Sequence, residues 1–105
     1  MKDDTYNGWS NYETWCYQLW LDNDQGLSEY WLMTANDVNS NLEGWNGTDD
    51  SYAIYTLSKM LKSDCNDSLD NSQFPGVFSD LLTASIELIN WREIAESWLE
   101  RANDN

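Results

Sequence analysis

Asn90-Trp91-Arg92-Glu93-Ile94-Ala95-Glu96-Ser97-Trp98-Leu99-Glu100-Arg101-Ala102 is the stretch that decides the fold class. Trp91, Ile94, Ala95, Trp98, Leu99 and Ala102 recur at three- and four-residue steps, the spacing of a single helix face. Asn90 stands at the cap position with Glu93 three residues on, so the start resembles a capping box with Asn as the cap. Glu93, Glu96 and Glu100 fall at i, i+3 and i+7 and share another face of the same helix.

Working outward, four upstream segments read the same way. Ser10-Asn11-Tyr12-Glu13 puts a hydroxyl at the N-cap and a carboxylate at N3, and Tyr12, Trp15, Cys16 and Leu19 follow on one face with Trp20 beside them. Asp22-Asn23-Asp24-Gln25-Gly26 ends that helix with residues that favour turns. A second helix is expected from about Leu27 to Leu42, with Leu27, Tyr30, Trp31, Thr34, Val38 and Leu42 inward and Glu29, Asp37 and Glu43 outside the stripe. Glu43 to Gly47 is a loop. A third helix is expected from about Asp50 to Ser63, capped by Thr48 or Asp49, with Ala53, Ile54, Leu57, Met60 and Leu61 facing the core. Asp64 to Gln73 reads as a polar loop. Pro75 opens a fourth helix whose apolar face is Phe78, Leu81, Leu82, Ser85, Ile86 and Ile89. Trp9 can pack as a hydrophobic staple before Ser10. No strand and no internal repeat is evident. Residues 1–8 and 103–105 are expected to be less ordered. Short connections between amphipathic helices imply an all-α, compact single-domain bundle of about five short helices over residues 1–105.

The chain has 105 residues, the length of one domain, with 19 acidic and 5 basic side chains and a net charge of −14. That balance excludes nucleic acid as a direct partner, because phosphate contacts need clustered Lys and Arg. It also argues against anionic lipid. The absence of His removes Ser-His-Asp and Cys-His machinery, His-ligated zinc and most haem sites. Seven Trp, six Tyr and a hydrophobic share of 41% separate the chain from a disordered acidic tail. The opening Met1-Lys2-Asp3-Asp4 lacks the apolar core of a secretory signal, and no apolar run reaches the ~18 residues of a membrane span. A cytoplasmic location follows as the expectation, with Cys16 and Cys65 as free thiols.

No metal site or cofactor is expected. Asp22 to Gly26 resembles the start of a calcium loop, but its glycine comes one place early, and Met33 stands where the closing carboxylate belongs. Asp64-x-Asn66-x-Ser68 has Leu69 and Pro75 where glycine and glutamate are needed. Nor is an enzyme expected. Acids are numerous enough to pair after the fact, and neither a Gly-rich phosphate loop nor a nucleophile elbow accompanies them. Cys16 lies on an apolar face without a basic neighbour, which reads as packing.

Asn7-Gly8-Trp9-Ser10-Asn11-Tyr12-Glu13-Thr14-Trp15, followed by Leu19-Trp20-Leu21-Asp22-Asn23-Asp24, resembles the opening of a family of small acidic proteins carried by phages, plasmids and bacterial genomes. Phe78-Ser79-Asp80-Leu81-Leu82 and Trp91-Arg92-Glu93-Ile94-Ala95-Glu96 are similar to that family's ending. The two blocks cover about half of the chain. The resemblance implies a mobile-element context and no particular activity.

The acidic surplus is spread over helices and their ends. Carboxylates one helical turn apart are spaced about 4.5–6 Å along the axis. That is comparable to the ~3.4 Å axial advance per phosphate of a nucleic-acid strand. The expectation is therefore an inhibitor from a phage or mobile element that covers the basic nucleic-acid-binding groove of a host protein, such as a CRISPR effector or restriction enzyme. The chain would act as a monomer or homodimer, and complementary charge would make association fast and salt-sensitive. Candidate contacts are Asp22, Asp24, Glu29, Asp37, Glu43, Asp49, Asp50, Glu93, Glu96 and Glu100, joined by Trp20 and Trp45, which periodicity explains poorly. The alternative is an acidic adaptor that binds its partner through exposed Trp and Tyr.

Overall fold

A computed structural model describes residues 6–41 and 51–104. In it, α1 (Tyr12–Asn23), α2 (Gln25–Asn41), α3 (Ser51–Ser72), α4 (Gly76–Leu88) and α5 (Trp91–Asp104) follow one another in a single all-α globule. No strand occurs among the described residues, only an isolated bridge between Tyr6 and Trp9. Helix α5 forms the centre. Trp91, Ile94, Ala95, Trp98, Leu99 and Ala102 are all buried, as their spacing requires. They pack chiefly on α3 and α2, which contribute Ala53, Leu57 and Leu61 from one side and Trp31, Ala35 and Val38 from the other. Arg101 closes the end of α5. Its guanidinium lies 4.4 Å from the Trp98 ring centroid and 2.7 Å from the Asp22 carboxylate on α1.

The residues before α1 turn tightly. Asn7 (φ 49°) and Gly8 (φ 90°) make a two-residue turn closed by Tyr6 and Trp9, whose amides and carbonyls bond reciprocally at 2.6 and 2.8 Å. Asn-Gly suits a turn in which both central φ angles are positive. Asn11 then caps α1, and not Ser10 as expected. Its Oδ1 accepts from the Thr14 amide at 2.9 Å and from the Thr14 hydroxyl at 2.6 Å. Asn90 caps α5 by accepting from the Glu93 amide at 3.1 Å.

The reciprocal halves of these boxes are exchanged between the helices. The Ser10 amide donates to Glu93 Oε1 at 2.9 Å, and the Asn90 amide donates to Thr14 Oγ1 at 2.8 Å. Asn90 Nδ2 donates to Ser10 Oγ at 3.0 Å, and Asn11 Nδ2 donates to the Leu88 carbonyl at 2.7 Å. The starts of α1 and α5 and the end of α4 are thus one polar clamp, each helix terminus satisfied by a neighbour.

Four expectations need correction. Residues 64–72 are helical and no polar loop lies there. Cys65 and Leu69 continue the four-residue line of Leu57 and Leu61 and pack against the core, which outweighs the polar residues around them. The buried face of α1 is Thr14, Gln18 and Leu21, while Tyr12 and Leu19 are exposed. The clamp satisfies the Thr14 hydroxyl and Gln18 Nε2 donates to Asp22 Oδ1 at 3.1 Å, while the buried Gln18 Oε1 has no hydrogen-bond partner among the described residues. No loop separates α1 from α2. Asp24 alone joins them and caps α2 by accepting from the Leu27 amide at 3.0 Å. Finally, the apolar face of α4 is largely uncovered: Ile86 is buried and Ile89 half-buried, but Phe78, Leu81 and Leu82 are exposed. Helix α4 meets α3 and α1 along one edge, and no described element covers its other side. On α2, Leu27 and Tyr30 are likewise exposed, and on α3 so is Met60. Leu42, the Glu43–Gly47 loop and the Thr48 and Asp49 cap lie outside the described residues.

Candidate partner-binding surface

The predicted carboxylate contacts do not form one ridge. Asp22 is held by Arg101 and Gln18. Asp24 caps α2, and Glu29 accepts from Gln25 Nε2 at 3.3 Å on the same helix. Glu93 is half-buried in the clamp, and Glu96 pairs with Arg92 at 3.5 Å. Of the three glutamates on α5, only Glu100 is an exposed carboxylate with neither cation nor clamp attached. Asp37 is also exposed on α2. Glu43, Asp49, Asp50 and Trp45 lie outside the described residues. Three further acids were missed. Asp64, Asp67 and Asp70 stand exposed at every third position along the second half of α3. Reading that stretch as a loop hid their fixed spacing. Among the described carboxylates, ion pairs form at Asp22, Glu87 and Glu96.

The aromatic prediction divides. Trp31, Trp91 and Trp98 are core residues, and Trp9 is half-buried and packs against the core, two residues before the Asn11 cap and so outside the staple position expected of it. Trp15 is half-buried and clusters with Tyr6 and Tyr12 at centroid distances of 4.9 and 5.5 Å. Trp20 is 70% exposed.

Trp20 stands at one end of an apolar groove of about 490 Å³ between α1, the last turns of α3 and α4. Helix α1 contributes Tyr12, Glu13, Cys16, Tyr17 and Trp20. Helix α3 contributes Cys65, Ser68, Leu69 and Ser72. Phe74, Leu82, Ser85, Ile86 and Ile89 complete the wall. The spacing of each set is that of one helix face. No single segment announces the groove, because it arises where three helices fail to close on one another. The signal for it in the sequence was the long apolar stripe of α4, which was assigned to the core.

Among the described residues Glu13 is the one acidic side chain in the wall, and no Lys or Arg lines it. The phenols and thiol of the groove are held neutral. Burial raises Tyr17 well above the usual tyrosine range, with added push from Cys65 and Asp64. Burial and then the Asp64 carboxylate push the Cys65 thiol up to about 11. Tyr12 is raised chiefly by its side-chain hydrogen bond with Cys16. Both cysteines are free, and the raised Cys65 thiol is protonated at neutral pH.

Among the described residues no cluster of Cys, Asp and Glu could hold a metal ion, and no helix is long and apolar enough to cross a membrane. The arrangement offers an apolar trough with anchoring aromatics inside an acidic surface, which is the anatomy of a docking site. No curated protein and no solved structure matches the chain. A family model matches residues 2–100, and the chain belongs to that family of unknown function, DUF7249.

Proposed function

We propose that the chain is an acidic protein-binding inhibitor, of phage or mobile-element origin, that occupies the basic nucleic-acid-binding surface of a host protein such as a CRISPR effector or restriction enzyme. The observation that carries this reading is the set of exposed carboxylates fixed on helices without cationic partners among the described residues, above all Asp64, Asp67 and Asp70 on α3. Rigid carboxylates of one sign attract a basic surface and fix its register. The mobile-element context rests on the resemblance of the Asn7–Trp15 and Trp91–Glu96 motifs.

The experiment is capture from host lysate on the immobilised chain at about 50 and 200 mM salt, with elution by duplex DNA. Nucleic-acid-binding enzymes should be retained at low salt and released both by salt and by DNA. Asp64→Asn, Asp67→Asn and Asp70→Asn together should weaken retention about tenfold. A second reading, an adaptor that binds through aromatic and apolar contacts, is favoured by the exposure of Trp20 and of α4. It takes over if the captured proteins resist salt and ignore DNA.

A further inference from the structure

We infer that the groove between α1, α3 and α4 receives one amphipathic helix of a partner protein, with Lys or Arg flanking its apolar stripe. The inference deepens the protein-binding reading above and rests on it. Three observations carry it. The groove is apolar and its walls are uncovered: Trp20 is 70% exposed, Tyr12 51%, Phe74 48% and Leu82 38%. Beyond the groove, Val77, Phe78, Leu81 and Leu88 are also exposed and extend the apolar face along α4.

The dimensions suit a helix. From Tyr12 to Trp20 the wall of α1 rises ~12 Å. Anchors at i, i+3, i+4 and i+7 of a docked helix span about 10.5 Å, so a short apolar stripe fills the trough from end to end.

The charge selects the occupant. Glu13 lines the groove, Asp64 lies close enough to act on Tyr17 and Cys65, and no cation is present in the wall among the described residues. A cationic helix finds an apolar floor with carboxylates beside it. A second copy of this chain would instead bring another net charge of −14 to the same face.

The test uses a synthetic peptide of about 14 residues, four helical turns, with Leu on one face and Lys elsewhere. Its controls are a scrambled peptide of the same composition and a version with Glu in place of Lys. Binding is read by fluorescence anisotropy, and location by the rate at which iodoacetamide alkylates Cys16 and Cys65.

The amphipathic Lys peptide should bind at least about tenfold more tightly than either control and should slow alkylation of both thiols. Ser85→Arg and Ser68→Arg, at exposed positions of the wall, should each weaken it about tenfold while leaving the unfolding temperature in place. Equal binding of the scrambled peptide, or full binding by both variants, overturns the groove as the site and leaves the charge reading standing. Failure of every Lys peptide to bind overturns both. A dimer that shields both thiols without peptide assigns the groove to a second copy and overturns the inference.

Discussion

Cys65 sits half-buried at the wall of the groove, its thiol pushed up to about 11 by burial and by Asp64. In the unfolded chain an exposed thiol takes its ordinary value of ~8.5. Between these values the unfolded state binds fewer protons than the native state, so stability falls as pH rises. Below the lower value the contribution is fully present. Tyr17 acts with the same sign at higher pH, because its phenol is raised by the same burial. Urea midpoints should therefore be flat near pH 8 and decline toward about pH 10.5, and Cys65→Ala should remove part of that decline. An identical decline in the variant would show that the thiol is not held by the fold.

At the scale of helices, α4 and α5 make opposite use of their apolar faces. Trp98 is fully buried at the centre of α5, and Trp98→Ala should cost about 3–5 kcal/mol, much of a small domain's stability. Leu81 is 60% exposed on α4, so Leu81→Lys should change stability by no more than about 0.5 kcal/mol. Thermal denaturation of both variants checks the contrast, and a loss at Leu81 comparable to that at Trp98 would mean that α4 is covered in solution.

Helix α5 was legible because its stripe is complete and flanked by charge, so a single face satisfies every apolar residue. Helix α4 has an equally regular stripe, but periodicity says only which residues share a face. It does not say whether another element arrives to cover that face. The second half of α3 was misread for the reverse reason. Its apolar signal is two residues, Cys65 and Leu69, spaced among Asp, Asn and Ser, and only their packing against the core makes the stretch helical. The groove was illegible for both reasons at once, since it lies between the stripe wrongly buried and the helix wrongly ended. The cap positions at Asn90 and near Ser10 were visible, but their exchange was not, because Ser10 and Glu93 are 83 positions apart.

At the scale of the whole molecule, the chain is closed by the clamp between residues 10–14 and 88–93, and its core is centred on its last helix. Folding then depends on contacts distant in sequence. A fragment ending at Asn90 keeps α1–α4 but loses the six buried side chains of α5 on which α2 and α3 pack. It should show no cooperative thermal transition and no near-ultraviolet circular dichroism, and a fragment that kept either would contradict the central role of α5.

During synthesis, therefore, α2 and α3 lack their main packing partner until Trp91–Asp104 leaves the ribosomal tunnel. Until then their greasy faces stay open to chaperones and proteases.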